Sequence, residues 1–147
     1  MADHLHKQIR AALVTALTGL TTSGSRVYAN RLAPLPDTTS PTLLVTLDDE
    51  QATGLTIHQP QAQDRTLSLS VAAVVKASSA VDDTLDLMSK EVEIALAAGI
   101  TVTGRNLPVF YQGMSFEDAQ ADKPVGIKRM TFSIPFTAMS NAPDVLT

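Results

Sequence analysis

The stretch RTLSLSVAAVVK, residues 65–76, is the clearest strand in the sequence and decides the fold class. In its first half apolar side chains alternate with Ser and Thr, and in its second half both sets of alternate positions are apolar. Because successive side chains of a strand point to opposite faces, this pattern predicts a strand that starts with one wet face and ends with two dry ones.

An amphipathic helix is predicted directly after this strand. Apolar residues recur at intervals of three and four from Val81 to Leu96, the spacing of one helix face. Asp82 lies three residues after Ser79 in a capping-box-like position, and Gly99 is a natural residue for the C-terminal cap. The helix is therefore expected to open at Ser79 and to close before Gly99.

A second strand is predicted on the N-terminal side, over residues 42–47, which are β-branched and apolar. It can pair with residues 65–76 as a hairpin. The polar residues 48–64 lie between the two strands and are expected to form a long arm or loop at the hairpin's tip.

The N-terminal region predicts a first amphipathic helix over residues 5–20 with Asp3 as its N-cap. Residues 26–29 can form a short strand. The stretch that holds Pro34, Pro36 and Pro41 cannot be helical, because each proline removes a backbone donor and favours extended geometry before it. We expect it to be an ordered connector.

The C-terminal third predicts two more strands, residues 107–116 and 126–138, joined by the acidic stretch 117–124. Pro135 favours an edge strand or a bulge near the end of the second. Residues 140–147 are expected to be a loose tail.

The order helix, hairpin, helix, hairpin predicts an α+β fold: a mixed, mainly antiparallel sheet of four to five strands with both helices on one face. The length of 147 residues suits a single domain over residues 1–147. The strand and helix phases predict five core residues: Leu69, Val71, Val92, Phe132 and Ile134.

Composition excludes several classes of function. The net charge is −4 and the eleven Lys and Arg residues are scattered, so tight nucleic-acid binding is not expected. No apolar run reaches the roughly 20 residues that span a bilayer, and no leader-like start is visible, so we expect no membrane partner. Cysteine is absent, which removes disulfides and thiolate chemistry.

The sequence shows little that could support catalysis, and we expect no enzyme and no cofactor. His4 and His6 are two residues apart and would lie on different faces of a helix. The run Asp48-Asp49-Glu50 could hold a cation, but it lacks the spacing of a calcium loop, and a solvated loop or a subunit contact explains it better. No nucleophile elbow, phosphate loop or dinucleotide motif is present.

Two long polar segments, residues 48–64 and 117–124, stand out in so small a chain, since such loops are uncommon unless functional or disordered. They either reach a neighbouring protein or are solvated loops. The candidate contacts to a neighbouring subunit or a tube are Asp48, Asp49, Glu50, His58, Asp64, Arg65, Glu117, Asp118 and Asp122.

In order along the chain, these features resemble the tail terminator (minor tail protein) family of lambda-like phages with non-contractile tails. The N-terminal helix with IRAALVTAL, residues 9–17, is similar to that family's opening, as is the path through Arg26-Val27-Tyr28 to PTLLVTL, residues 41–47. An acidic loop, the long strand 67–75, a helix near Asp82 and a closing strand pair complete the likeness.

The resemblance implies a virion structural protein, assembled in the host cytoplasm, whose copies form a ring, expected to have six members. That ring would cap the tail tube, stop its polymerisation, and offer a surface to the head-side connector. Its partners would be itself and the major tail tube protein, with DNA passing through the lumen without specific binding. Another neck, head-tail joining or tail-completion protein is the nearest alternative, and a small enzyme or ligand-binding module is an alternative of a different class.

Overall fold

The structure is a computed structural model, and it describes residues 3–29, 41–76, 81–119 and 125–147. Within these residues the chain forms two helices and eight strands. In chain order they are α1 (Leu5–Leu17), β1 (Val27–Tyr28), β2 (Thr42–Gly54), β3 (Ala62–Lys76), α2 (Val81–Ala97), β4 (Ile100–Val102), β5 (Arg105–Leu107), β6 (Phe110–Ala119), β7 (Val125–Met139) and β8 (Ala142–Leu146).

One six-stranded sheet organises the fold. Its order is β1-β2-β3-β7-β6, and β8 pairs with β7. The pair β1 and β2 is parallel and the remaining pairs of this sheet are antiparallel. The predicted α+β class with a mixed, mainly antiparallel sheet is therefore confirmed, with one strand more than expected. The strands β4 and β5 form a separate small hairpin.

The core lies between the sheet and the two helices, which pack on the same face. In β3 the buried residues Leu67, Leu69 and Val71 are in register with Ile134, Phe132 and Met130 of β7. The apolar stripes of both helices close over this layer and leave their own buried residues almost without exposure: Leu5, Ile9, Leu13 and Leu17 of α1, and Leu85, Met88, Val92 and Leu96 of α2. All five predicted core residues are buried, as the strand and helix phases predicted.

Gly126 sets how closely α2 approaches the sheet. A Cβ atom placed on Gly126 would lie 2.4 Å from Cγ1 of Val81 and 3.1 Å from Cδ1 of Leu85. Such distances are below van der Waals contact, so only glycine lets the start of α2 rest on β7.

The largest difference from the sequence-based prediction lies in residues 48–64. Most of this segment is strand and not loop, because β2 continues to Gly54 and β3 begins at Ala62. A β-bulge between Leu47 and Asp49 shifts the register. The bulge interrupts the alternation of apolar and polar residues that marks a strand. The residues after it are polar on both faces of the strand, so the sequence alone favours a loop.

The ends of α1 also differ from the prediction. The N-cap is His4 and not Asp3, and its side chain accepts a hydrogen bond from the backbone N–H of His6. The helix ends at Leu17 and not at residue 20, because Gly19 takes a positive φ of 92°. Ser79, the expected start of α2, lies outside the described residues, as do Pro34 and Pro36 of the connector.

The expected strand over residues 107–116 is divided in the structure. Arg105–Leu107 pairs back with Ile100–Val102, and β6 starts only at Phe110. Thr103 and Gly104 both have positive φ, 48° and 79°, the backbone of a tight type I′ hairpin turn. The small hairpin was missed because its strands have three residues each.

The expected loose tail is wrong. Residues Ala142–Leu146 form β8 beside β7, and Leu146 is buried. Pro135 lies within β7, which is central in the strand order and pairs with β3 at this point through Thr66. On the other side of β7, the pairing with β6 ends at Ser133 and the pairing with β8 starts at Ala138. The proline therefore occupies a stretch with one neighbouring strand, where a missing N–H is tolerated.

Candidate assembly surfaces

The hairpin of β2 and β3 extends beyond the helix-covered core as an arm, which we define as residues 48–64 with its tip at residues 55–61. The tip carries two exposed aliphatic side chains, Leu55 and Ile57, and Ile57 is fully exposed. The side chain of Ile57 buries no area within its own chain, and about half of the Leu55 side chain is exposed as well. The tip thus presents an apolar surface to other molecules.

The tip is held in place by the turn between β7 and β8. The backbone N–H of Gln61 donates to Oγ of Ser140 at 2.8 Å, and the N–H of Ser140 donates to the carbonyl of Gln61 at 2.8 Å. Within the tip, the Gln61 amide donates to the carbonyl of Thr56 at 2.8 Å. These bonds give the tip a defined direction relative to the sheet.

Two of the predicted contact residues meet on the helix side of the arm's base. Glu50 lies 2.5 Å from Nε2 of His6 on α1 and 3.5 Å from Nη1 of Arg65. The side chains of Glu50 and Arg65 are only 17% and 11% exposed. Glu50 therefore connects the base of the arm to α1 within the chain, and Arg65 pairs with the same carboxylate.

The other carboxylates of the arm lie on the helix-free face of the sheet. Asp48, at the bulge, accepts a hydrogen bond from Ser70, and Asp64 accepts one from Thr137 at 3.2 Å. Asp48, Asp49 and Asp64 are exposed, and so is His58 at the tip. These four exposed residues are the predicted contacts of the arm that a neighbouring molecule can reach.

The start of α1 contains one perturbed histidine. Desolvation, followed by the nearby charge of His6, lowers the pKa of His4 below its usual range. Its Nδ1 accepts the capping hydrogen bond at 3.0 Å, and a protonated ring nitrogen cannot accept. The neutral form of His4 is therefore the one that caps α1.

The second polar segment differs from the first. Glu117 lies in β6 and forms an ion pair with Arg129 at 3.2 Å. Asp118 is also in β6, paired with Gly126 along the backbone, so this part of the expected loop is strand. Asp122 lies outside the described residues.

A cleft that the sequence analysis missed opens where α2 ends and β6 begins. It has a volume of about 540 Å³. Leu96 and Phe132 are buried beneath it, and Phe110 and Tyr111 are half exposed beside it. Tyr111 packs edge-on against Phe132, with ring centroids 5.6 Å apart. The sequence feature that could have revealed it is the run Pro108-Val109-Phe110-Tyr111 directly after the small hairpin.

The backbone around Gly99 shapes this cleft. Gly99 has φ of 81° and ends α2, and a Cβ on it would lie 2.4 Å from the carbonyl oxygen of Leu107. Asn106 also donates to the carbonyl of Ala98 at 3.2 Å. These contacts bring the β4–β5 hairpin against the end of the helix, so the cleft has a fixed wall.

Most of the residues that line the cleft are apolar. Among the described residues that line it, Glu93 is the one carboxylate, and that group accepts a hydrogen bond from Ser89 at 3.1 Å. Tyr111 is the other titratable group there. Over the described parts of the chain, no cluster of three metal-ligating side chains occurs.

Comparison with known proteins gives the family. Residues 4–136 match the family described as phage minor tail protein U. The chain belongs to the phage minor tail protein U family. Membership makes it a structural protein of the phage tail, which agrees with the resemblance found in its sequence. Of the described helices, neither is long and apolar enough to cross a membrane.

The fold is also found in a solved virion. A chain of the virion of a native gene transfer agent particle is similar with a TM-score of 0.54 and 14% identity, over 92% of each chain. At this identity the likeness shows a shared fold. No curated protein matches the chain.

Proposed function

We propose that the protein is a tail terminator: its copies form a ring, of six members, on the end of the tail tube. This ring stops tube polymerisation and offers the surface on which the head-side connector assembles. The observation that carries the proposal is the match of residues 4–136 to the phage minor tail protein U family. Assembly would take place in the host cytoplasm, and the protein would remain in the virion.

The shape of the chain supports a ring. Closed rings need a head-to-tail interface, in which one patch meets a different patch of the next copy. The two sides of the sheet do differ: β2 carries the projecting arm, while β6 borders the apolar cleft. Such unlike surfaces on one chain supply the two different patches that a cyclic contact needs.

The charge of the chain suits a ring through which DNA passes. Asp and Glu number 15 and Lys and Arg number 11, so the surface as a whole repels phosphate. A lumen that held DNA tightly would hinder its passage. The contacts to DNA are therefore proposed to be weak and independent of sequence.

Tail length in particles made without the protein tests the terminator role. Electron micrographs of such particles should show overlong tubes, because nothing stops polymerisation. Purified protein added to growing tubes should restore the normal length. Tubes of normal length that lack heads would instead assign the protein to head-tail joining.

The arm is proposed to supply contacts through its exposed residues Asp48, Asp49, His58 and Asp64. Replacing residues 56–61 by Asn-Gly keeps Leu55 opposite Ala62, which are hydrogen-bonded now, and forms a two-residue hairpin. The change removes the Gln61 bonds to Ser140, each worth about 1 kcal/mol. The shortened protein should stay folded, with a slightly lower melting temperature, and should fail to attach to tubes. Normal capping by this variant would exclude the tip from the contacts.

A further inference from the structure

We propose that the apolar tip of the arm docks in the α2/β6 cleft of a second copy of this chain. The proposal rests on the ring of the proposed function and names the contact that closes it. The contact has two halves. One is formed by the side chains of Leu55 and Ile57 on the tip, and the other is the cleft beside Phe110, Tyr111 and Phe132.

The tip cannot reach the cleft of its own chain. Phe110, at the cleft, is in register with Ser133, and Ser133 is in register with Ser68 of β3. β3 begins six residues before Ser68, at Ala62, which places the tip about 20 Å further along the strands. Since the arm is hydrogen-bonded and its tip is held by Ser140, it cannot fold back over that distance.

The cleft fits the tip in size and in polarity. A volume of about 540 Å³ accommodates two branched aliphatic side chains with part of their backbone. Between Gly54 and Gln63 the tip has no carboxylate, lysine or arginine, and His58 is its one titratable group. The cleft offers a single carboxylate, Glu93. Docking therefore brings no like charges together and places an imidazole near a carboxylate.

A second copy is the occupant that the stoichiometry favours. Each chain carries this tip and this cleft, and the two are different patches on different parts of the fold. In a closed ring every tip fills a cleft, and no apolar surface of either kind is left exposed. A foreign partner that bound only the cleft would leave the fully exposed Ile57 uncovered.

Crosslinking between single-cysteine variants tests the contact, because the natural chain contains no cysteine. Ile57→Cys is mixed with Ala98→Cys, an exposed position of the cleft, and the control mixture pairs Ile57→Cys with Ser115→Cys, an exposed position of β6 on the helix-free face. With one thiol per chain, an intramolecular disulfide is impossible. The cleft mixture should form disulfide dimers at least about ten times faster than the control mixture.

A pair of Ile→Ser variants measures the energy of the contact. Ile57→Ser should weaken self-association roughly tenfold to a hundredfold, as expected for losing one buried isoleucine. Ile94→Ser is the matched control, because Ile94 is 64% exposed on α2 and does not line the cleft, and it should change self-association less than about twofold. Sedimentation of the concentrated protein gives both values.

The outcomes separate this contact from the terminator role. If the natural protein caps tubes but the cleft mixture crosslinks no faster than its control, the docking proposal is wrong and the terminator stands. If Ile57→Ser forms rings normally but does not attach to tubes, the tip binds the tube and the docking proposal is again wrong. If tubes are never capped while the cleft mixture crosslinks selectively, the contact is real and the terminator role fails.

Discussion

The substitution Phe132→Ala probes the layer on which both the core and the cleft depend. Phe132 is 2% exposed on the central strand β7, in register with Leu69 of β3 and Tyr111 of β6. Truncation removes the ring that packs on Leu69 and the edge-on partner of Tyr111. It also removes part of the floor of the cleft.

The expected loss of stability follows from these contacts. Phe→Ala in a core costs about 3–5 kcal/mol, and an aromatic pair adds about 0.5–1.5 kcal/mol beyond area burial. Because Phe132 lines the open cleft, the new void connects to solvent and fills with water, which reduces the cavity part of the cost. We therefore expect about 3–4 kcal/mol, or a melting temperature roughly 10–15 °C lower for a chain of this size.

Thermal unfolding followed by circular dichroism measures this loss. Phe110→Ala is the matched control, because Phe110 is 52% exposed and its truncation should cost about 1 kcal/mol or less. If Phe132→Ala melts within about two degrees of the natural protein, the assigned phase of β7 is wrong. If Phe132→Ala and Phe110→Ala lower the melting temperature equally, the placement of the core on the helix side of the sheet is wrong.

Three further changes test other parts of the fold. Gly126→Ala should destabilise by about 1–3 kcal/mol, because the added Cβ meets Val81, and an unchanged urea midpoint would contradict this close packing. Removal of residues 141–147 should lower the melting temperature clearly, since β8 pairs with β7 and is no loose tail; an unaffected truncation would argue against that pairing. The pKa of His4 is lowered on folding, so its contribution is present above about pH 6.5 and is lost as the pH falls below it. His4→Asn keeps a capping acceptor for His6 and should lose less stability between pH 7 and pH 5 than the natural chain, whereas equal slopes would exclude His4 as the cause.

The sequence predicted those elements whose periodicity is unbroken. The alternating pattern in residues 65–76 matches only a strand, and the apolar stripe from Val81 to Leu96 matches only a helix. Both elements are present in the structure. The alternation around Phe132 likewise identified the buried face of β7. Local pattern was enough here, because one face of each element is consistently apolar.

Local pattern failed where neighbours decide the structure. The polar residues 48–54 form a strand because β3 offers a pairing edge and a bulge at Asp48 corrects the register. Similarly, residues 142–146 are ordered because β7 continues past the end of β6 and leaves an open edge beside Ala138. Backbone hydrogen bonds to a neighbouring strand outweigh weak strand propensity, and the sequence of the segment itself does not contain that information.

The sequence by itself determined the α+β class, the buried faces of α2, β3 and β7, and the likeness to phage tail proteins, because these follow from residue spacing along single elements. Only the tertiary structure decided which candidate contacts are free: it paired Glu50 and Arg65 within the chain and left His58 exposed. It also created the cleft, whose walls come from α2, β6 and β7. Residues so distant in sequence meet only when the sheet is assembled, since a cleft is a property of packed elements and not of any one segment.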